Sequence, residues 1–130
     1  RASRMGDEPG SQFEMPRNVI KAVCNNYFDM ERTTTHESTL CCGGGGGLLT
    51  DDLMELRTKG GSPRMTAVQQ VTEDHGVTHM AAICAICKTQ FSKIMPAFGY
   101  EMDSIVSVHQ LVSNALILTG QETDGDADED

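Results

Sequence analysis

From Pro16 to Met30 the apolar residues Val19, Ile20, Val23, Cys24 and Tyr27 fall on one helical stripe, and Pro16 suits a first turn. The pattern predicts a helix there, after a polar, irregular segment over 1–13. Thr33 to Ser38 reads as polar connection, Thr39-Leu40-Cys41 as a short strand, and Gly43 to Gly47 is an unbroken glycine run. Thr50 is placed to cap a second helix whose positive end would favour Asp51 and Asp52 and which Lys59-Gly60 would finish. Gly61-Ser62-Pro63 would start another, with Ser62 as cap, running to His75 before Gly76 breaks it. Val77 to Ile83 predicts a buried strand ending at Cys84, followed by a helix through Phe91 and Ile94 toward Phe98. Ile105 to Val108 predicts another strand, and Gln110 to Leu118 a closing helix. Strands alternating with helices argue for an α/β fold with a small, mainly parallel sheet and flanking helices.

Charge and composition change this picture at one end. The formal charge is −9, but six acids and no base lie between Gln121 and Asp130, so the body is close to neutral. Such a run repels itself and predicts a disordered acidic tail over 120–130, leaving one domain over 14–119. No basic stripe suggests nucleic-acid binding, and no apolar run approaches the roughly 20 residues of a membrane helix. The opening residues read as the continuation of an upstream part.

The chemistry-bearing residues are cysteines. Five are present, two adjacent and two as Cys-x-x-Cys, which without a secretory leader reads as metal or redox chemistry. Cys84-Ala85-Ile86-Cys87 falls at an expected strand-to-helix junction, where amides and helix dipole favour thiolate. Cys41 and Cys42 end an expected strand, so both pairs can meet at one sheet edge. Adjacent strand residues point to opposite faces, so the chain must turn sharply for both to face one centre, and Gly43 and Gly44 offer that freedom. Cys24 reads as core, His79 as a satisfied core histidine or a donor to a metal ligand, and His109 as a helix cap. His36 and His75 read as loop or helix-end residues, and Met54, Met65, Met80, Met95 and Met102 as core filler.

Leu40-Cys-Cys-Gly-Gly-Gly-Gly-Gly-Leu-Leu-Thr50, Val77-Thr-His-Met-Ala-Ala-Ile-Cys-Ala-Ile-Cys87 and Ser107-Val-His-Gln-Leu-Val-Ser-Asn-Ala115 resemble the cysteine-rich CCG domain of the heterodisulfide reductase D family. The branch they most resemble is the heterodisulfide-reductase-like subunit K (DsrK) of the membrane complex associated with dissimilatory sulfite reductase. The resemblance covers roughly 14–118. It implies a non-cubane 4Fe-4S cluster held by Cys41, Cys42, Cys84, Cys87 and one further upstream cysteine, and an oxidoreductase passing electrons to a disulfide or sulfur-bridged substrate. A small sulfur-carrier protein is the implied substrate, and a haem-containing, quinone-oxidising subunit the implied electron source. The implied location is cytoplasmic, peripheral on the inner face of the membrane through partner subunits. Two departures stand out. Between Cys42 and Cys84 lie 41 residues, more than the family gap, and Cys24, with 16 residues before Cys41, is too near to be the first ligand. That ligand is expected before Arg1. Two other chemistries use the same thiols: a structural zinc module on all four cysteines, and a dithiol enzyme on Cys84 and Cys87 alone.

Overall fold

The computed structural model of the protein describes residues 11–117, so the expected acidic tail and most of the expected irregular N-terminal segment lie outside the described residues. Helix α1 spans Ser11–Val23 with Pro16 in its interior, so it begins and ends earlier than the apolar stripe predicts. The Cys24 amide still donates to the Ile20 carbonyl at 2.9 Å, but Asn25 and Asn26 follow, and their amides compete with the helix backbone. The chain then folds back, and Arg17 holds Asp29 at 2.6 Å.

No strand forms at Thr39-Leu40-Cys41. Two short 3₁₀ turns, Arg32–Thr34 and His36–Ser38, lead into an irregular segment. The guanidinium of Arg64 donates to the carbonyls of Thr34 at 2.8 Å and Leu40 at 3.1 Å. A side chain thus satisfies acceptors that a neighbouring strand would otherwise engage.

The second and third expected helices are one. Helix α2 runs Met54–His75 through Gly60-Gly61-Ser62-Pro63 without a break, preceded by a 3₁₀ turn at Asp51–Leu53. Thr50 is extended before that turn, but its side chain makes no capping bond. Gly76, at φ 66°, closes α2 in the left-handed conformation, as its sequence position suggests. The buried face of α2 consists of Arg57, Gly61, Arg64, Met65, Val68 and Val71. These recur at helical spacing, but half of them are not apolar, so hydrophobic periodicity cannot see the first three turns.

Strand β1, Met80–Ala82, leads through Cys84 into helix α3, Ala85–Ile94, and a 3₁₀ turn carries the chain on to Phe98. Strand β2, Ile105–Ser107, pairs parallel to β1 with Met80 opposite Ile105 and Ala82 opposite Ser107. Both strands are shorter than expected, but the α/β class and the parallel sheet with flanking helices stand. Helix α4, Val108–Ala115, follows β2 directly and packs on α1. Its cap is Ser107, whose hydroxyl accepts the Gln110 amide at 3.1 Å, while His109 lies exposed inside the helix.

The core gathers where α2, α3 and β2 meet. Cys42, Met65, Val68, Phe91, Ile94, Met95 and Ile105 are buried together, with Met54, Met80 and Cys87 packed around them. Full burial of each large side chain contributes roughly 1.5–3 kcal/mol. Met102, at 51% exposure, is the methionine that departs from the core role.

Candidate metal centre

Cys42 is itself core, 6% exposed, while Cys41 beside it is exposed. Gly43 turns the chain at φ 81°, and its amide donates to the Cys41 sulfur at 3.3 Å. The turn lays the loop on α2. A β-carbon at Gly43 would come within 2.6 Å of the Gly60 carbonyl carbon, and one at Gly61 within 2.9 Å of the Cys42 carbonyl oxygen. Gly44 is buried against Gln90, where a β-carbon would meet that side chain at 2.8 Å. Gly43 and Gly44 therefore have a packing reason to be glycine, whereas Gly45 to Gly47 face open space.

A buried polar relay fixes the Cys42 peptide. Gln90, fully buried on α3, donates to the carbonyls of Cys42 at 3.0 Å and Arg57 at 3.1 Å. Arg57, 1% exposed, returns a bond to the Gln90 side-chain oxygen at 2.8 Å and holds the Thr50 carbonyl at 3.1 Å. Every buried polar side-chain atom among the described residues is satisfied. The relay therefore avoids the penalty of about 1–3 kcal/mol per buried unsatisfied group.

Cys84 stands at the N-cap position of α3 in an extended conformation and is exposed, and Cys87 lies one turn further in, half-buried. The polarity of the nearby Cys87 amide does most to lower the Cys84 pKa from the ordinary thiol value; burial opposes this, and the Cys87 side chain and Ile86 amide assist. Cys87 moves the other way. Burial raises its pKa most, and hydrogen bonding and negative charge at Cys42 and Cys84 raise it further. Cys87 thus interacts with both Cys42 and Cys84. Among the described residues, however, no three histidine, cysteine, aspartate or glutamate side chains are gathered closely enough to hold a metal ion as they stand. The donors suit a thiolate-bound group in chemistry and neighbourhood. Cys41 lies exposed on the loop beside them.

The remaining sequence candidates lie apart from these thiols. Cys24 is half-buried just beyond α1. His79 is exposed beside Thr78, at 2.8 Å, so it is neither a core histidine nor a buried donor, because β1 starts three residues later than the apolar run suggests. His36 pairs with Glu14 at 2.6 Å, and His75 stacks on Phe28 with ring centroids 4.2 Å apart. Sequence reasoning missed Arg57, Arg64, Gln90 and Gly61. The available signal was the spacing of Arg57, Gly61, Arg64 and Met65, which puts them on one helical face.

Fold and geometry define a small α/β segment that gathers thiols at the start of a helix, beside a glycine loop docked on a second helix. The chain is 42% identical over 107 residues to a protein of Archaeoglobus profundus named Hdr-like menaquinol oxidoreductase iron-sulfur subunit. It is 41% identical over 107 residues to the Hdr-like menaquinol oxidoreductase iron-sulfur subunit 2 of Archaeoglobus fulgidus. Each match takes in 82% of this chain but spans only 19% of the relative's length. These similarities support a heterodisulfide-reductase-like relationship. No family model and no solved structure matches the chain. Among the described residues, no helix is long and apolar enough to cross a membrane.

Proposed function

We propose that this chain is the cluster-holding segment of an iron–sulfur redox subunit of heterodisulfide-reductase type, with Cys41, Cys42, Cys84 and Cys87 as ligands to a non-cubane 4Fe-4S cluster. The observation that carries this reading is that Cys42, from the Cys-Cys-Gly loop, is buried in the core cluster against which Cys87 of the Cys-x-x-Cys helix start packs. When bound, the cluster supplies one-electron chemistry at a disulfide or other sulfur-bridged substrate, and a small sulfur-carrier protein fits that role. The names of the relatives support a menaquinol-linked electron source, and the resemblance supports a haem-bearing partner that links the subunit peripherally to the inner membrane face.

The chain's own residues bind, orient and shield. Gln90, itself held by Arg57, donates to the Cys42 carbonyl, so the Cys42 sulfur is presented from a fixed peptide. The start of α3 presents Cys84 beside amides that favour its thiolate and sets Cys87 one turn further in, against the core. Gly43, at φ 81°, turns the chain beside Cys41, and its amide donates to the Cys41 sulfur. Hydrogen bonds to sulfur and burial of Cys42 and Cys87 then set the potential.

The test is anaerobic loading of the full-length protein with iron and sulfide, read by metal and sulfide analysis and visible spectrum. A brown protein that loses its iron in Cys42→Ser and in Cys87→Ser is the expected result. A colourless protein binding one zinc overturns the redox reading in favour of a structural zinc module, and Cys42→Ser with unchanged iron removes Cys42 from the ligand set.

A further inference from the structure

Two arginines on the buried face of α2 bracket the cysteine loop. Gly61 is where the Cys42 carbonyl approaches that helix, and Arg57 and Arg64 stand about one turn before and after it. The two are not equivalent. Arg57 has a carboxylate, Asp51, at 3.5 Å. Arg64, 6% exposed, donates to the Met30 sulfur at 2.8 Å and to the carbonyls of Thr34 and Leu40, all neutral acceptors. The carboxylate that acts on it at longer range, Asp29, is already held by both nitrogens of the Arg17 fork, at 2.6 and 3.3 Å. Burying a cation among neutral groups costs several kcal/mol unless an anion lies close by. Burial accordingly pushes the Arg64 pKa down from the ordinary guanidinium value; negative charge at Asp29 opposes the shift and the Arg17 cation adds to it. The Leu40 carbonyl that Arg64 holds belongs to the residue before Cys41, so the buried cation lies beside the cysteine loop.

We infer that Arg64 is a positioning residue whose buried positive charge compensates the anionic thiolate centre and holds its reduction potential up. The inference rests on the functional reading given above. Its basis is electrostatic: a fixed cation favours the more negative, reduced form of any couple beside it, and it does so strongly where water is excluded. Its hydrogen bond to the Leu40 carbonyl also fixes the residue preceding Cys41, so charge and ligand are held in one geometry.

The test is a reductive titration of the full-length protein, loaded anaerobically with iron and sulfide, as wild type, Arg64→Lys and Arg64→Gln, with circular dichroism on each. Lysine keeps the charge; glutamine removes it and keeps a donor. The Arg64→Gln midpoint is expected to fall until the reduced-to-oxidised ratio at the wild-type midpoint drops about tenfold, which is about 59 mV for a one-electron couple. Arg64→Lys should titrate close to wild type. If Arg64→Gln unfolds or takes up no iron, Arg64→Lys decides: a wild-type midpoint supports the charge role, and a displaced midpoint or loss of iron overturns it. An Arg64→Gln protein that loads fully and titrates at the wild-type potential also overturns it. Wild-type protein that never takes up iron would defeat the functional reading itself, a different failure.

Discussion

Gly43 rests on the peptide of Gly60 so closely that a β-carbon at residue 43 would stand 2.6 Å from the Gly60 carbonyl carbon. That contact is backbone against backbone and cannot be relieved by a rotamer change. Gly43 also has φ 81°, where a side chain adds about 1–2 kcal/mol of strain.

Substitutions along the glycine run should therefore separate. Gly43→Ala is expected to cost about 3 kcal/mol or more, strain and overpacking together. Gly47→Ala, left-handed but open, should cost about 1 kcal/mol, and Gly45→Ala, open and without positive φ, within about 0.5 kcal/mol. Urea unfolding of the three metal-free variants checks the order. Equal losses at 43 and 45 would mean the loop is not docked on α2.

Gln90→Leu should cost about 3 kcal/mol despite its similar volume, because it strands the Cys42 carbonyl and takes the side-chain acceptor from Arg57. Iron uptake should fall with it, since Cys42 loses its tether. Denaturant midpoints and iron content on the same samples test both halves; a stable variant with full iron would show that the relay is dispensable.

The two thiols of the Cys-x-x-Cys turn should titrate apart in metal-free protein. Amide donation lowers the pKa of exposed Cys84, so its thiolate forms at lower pH, while burial raises that of Cys87. Iodoacetamide labelling followed by mass spectrometry should therefore modify Cys84 first as pH rises from neutral, with Cys87 following at higher pH. Simultaneous labelling would mean the two share one environment.

Cys24→Ala is expected to leave iron content unchanged and to cost about 1 kcal/mol or less, the loss of one half-buried thiol. Loss of iron in that variant would make Cys24 a ligand.

What the sequence reveals follows from which forces act locally. Gly76, the Cys84 junction and the parallel strands are legible because turn chemistry and apolar runs act over a few residues. The continuity of α2 is not, because Gly60, Gly61 and Pro63 carry local signals for a break that the docked loop overrules. The cysteines were visible by spacing alone. Arg64 and Gln90 were not, because nothing in a charged or polar residue announces that a carbonyl 24 or 48 positions away will need it. His79 misled for the opposite reason, standing in an apolar run whose first residues never join the sheet.

The glycine pair inside α2 also bears on the order of folding. Each glycine weakens a helix by about 1 kcal/mol and an interior proline by about 3, so the stretch from Gly60 to Pro63 is not helical on its own account. It becomes helical because the cysteine loop, arriving from 17 or more residues earlier in the chain, fits only against a side-chain-free turn. Docking of the loop thus holds the middle of α2 in helical form. In native-state hydrogen exchange the amides of Gly60, Gly61 and Ser62 should then open together with the Cys42 loop as one cooperative unit, ahead of the segment around Val68.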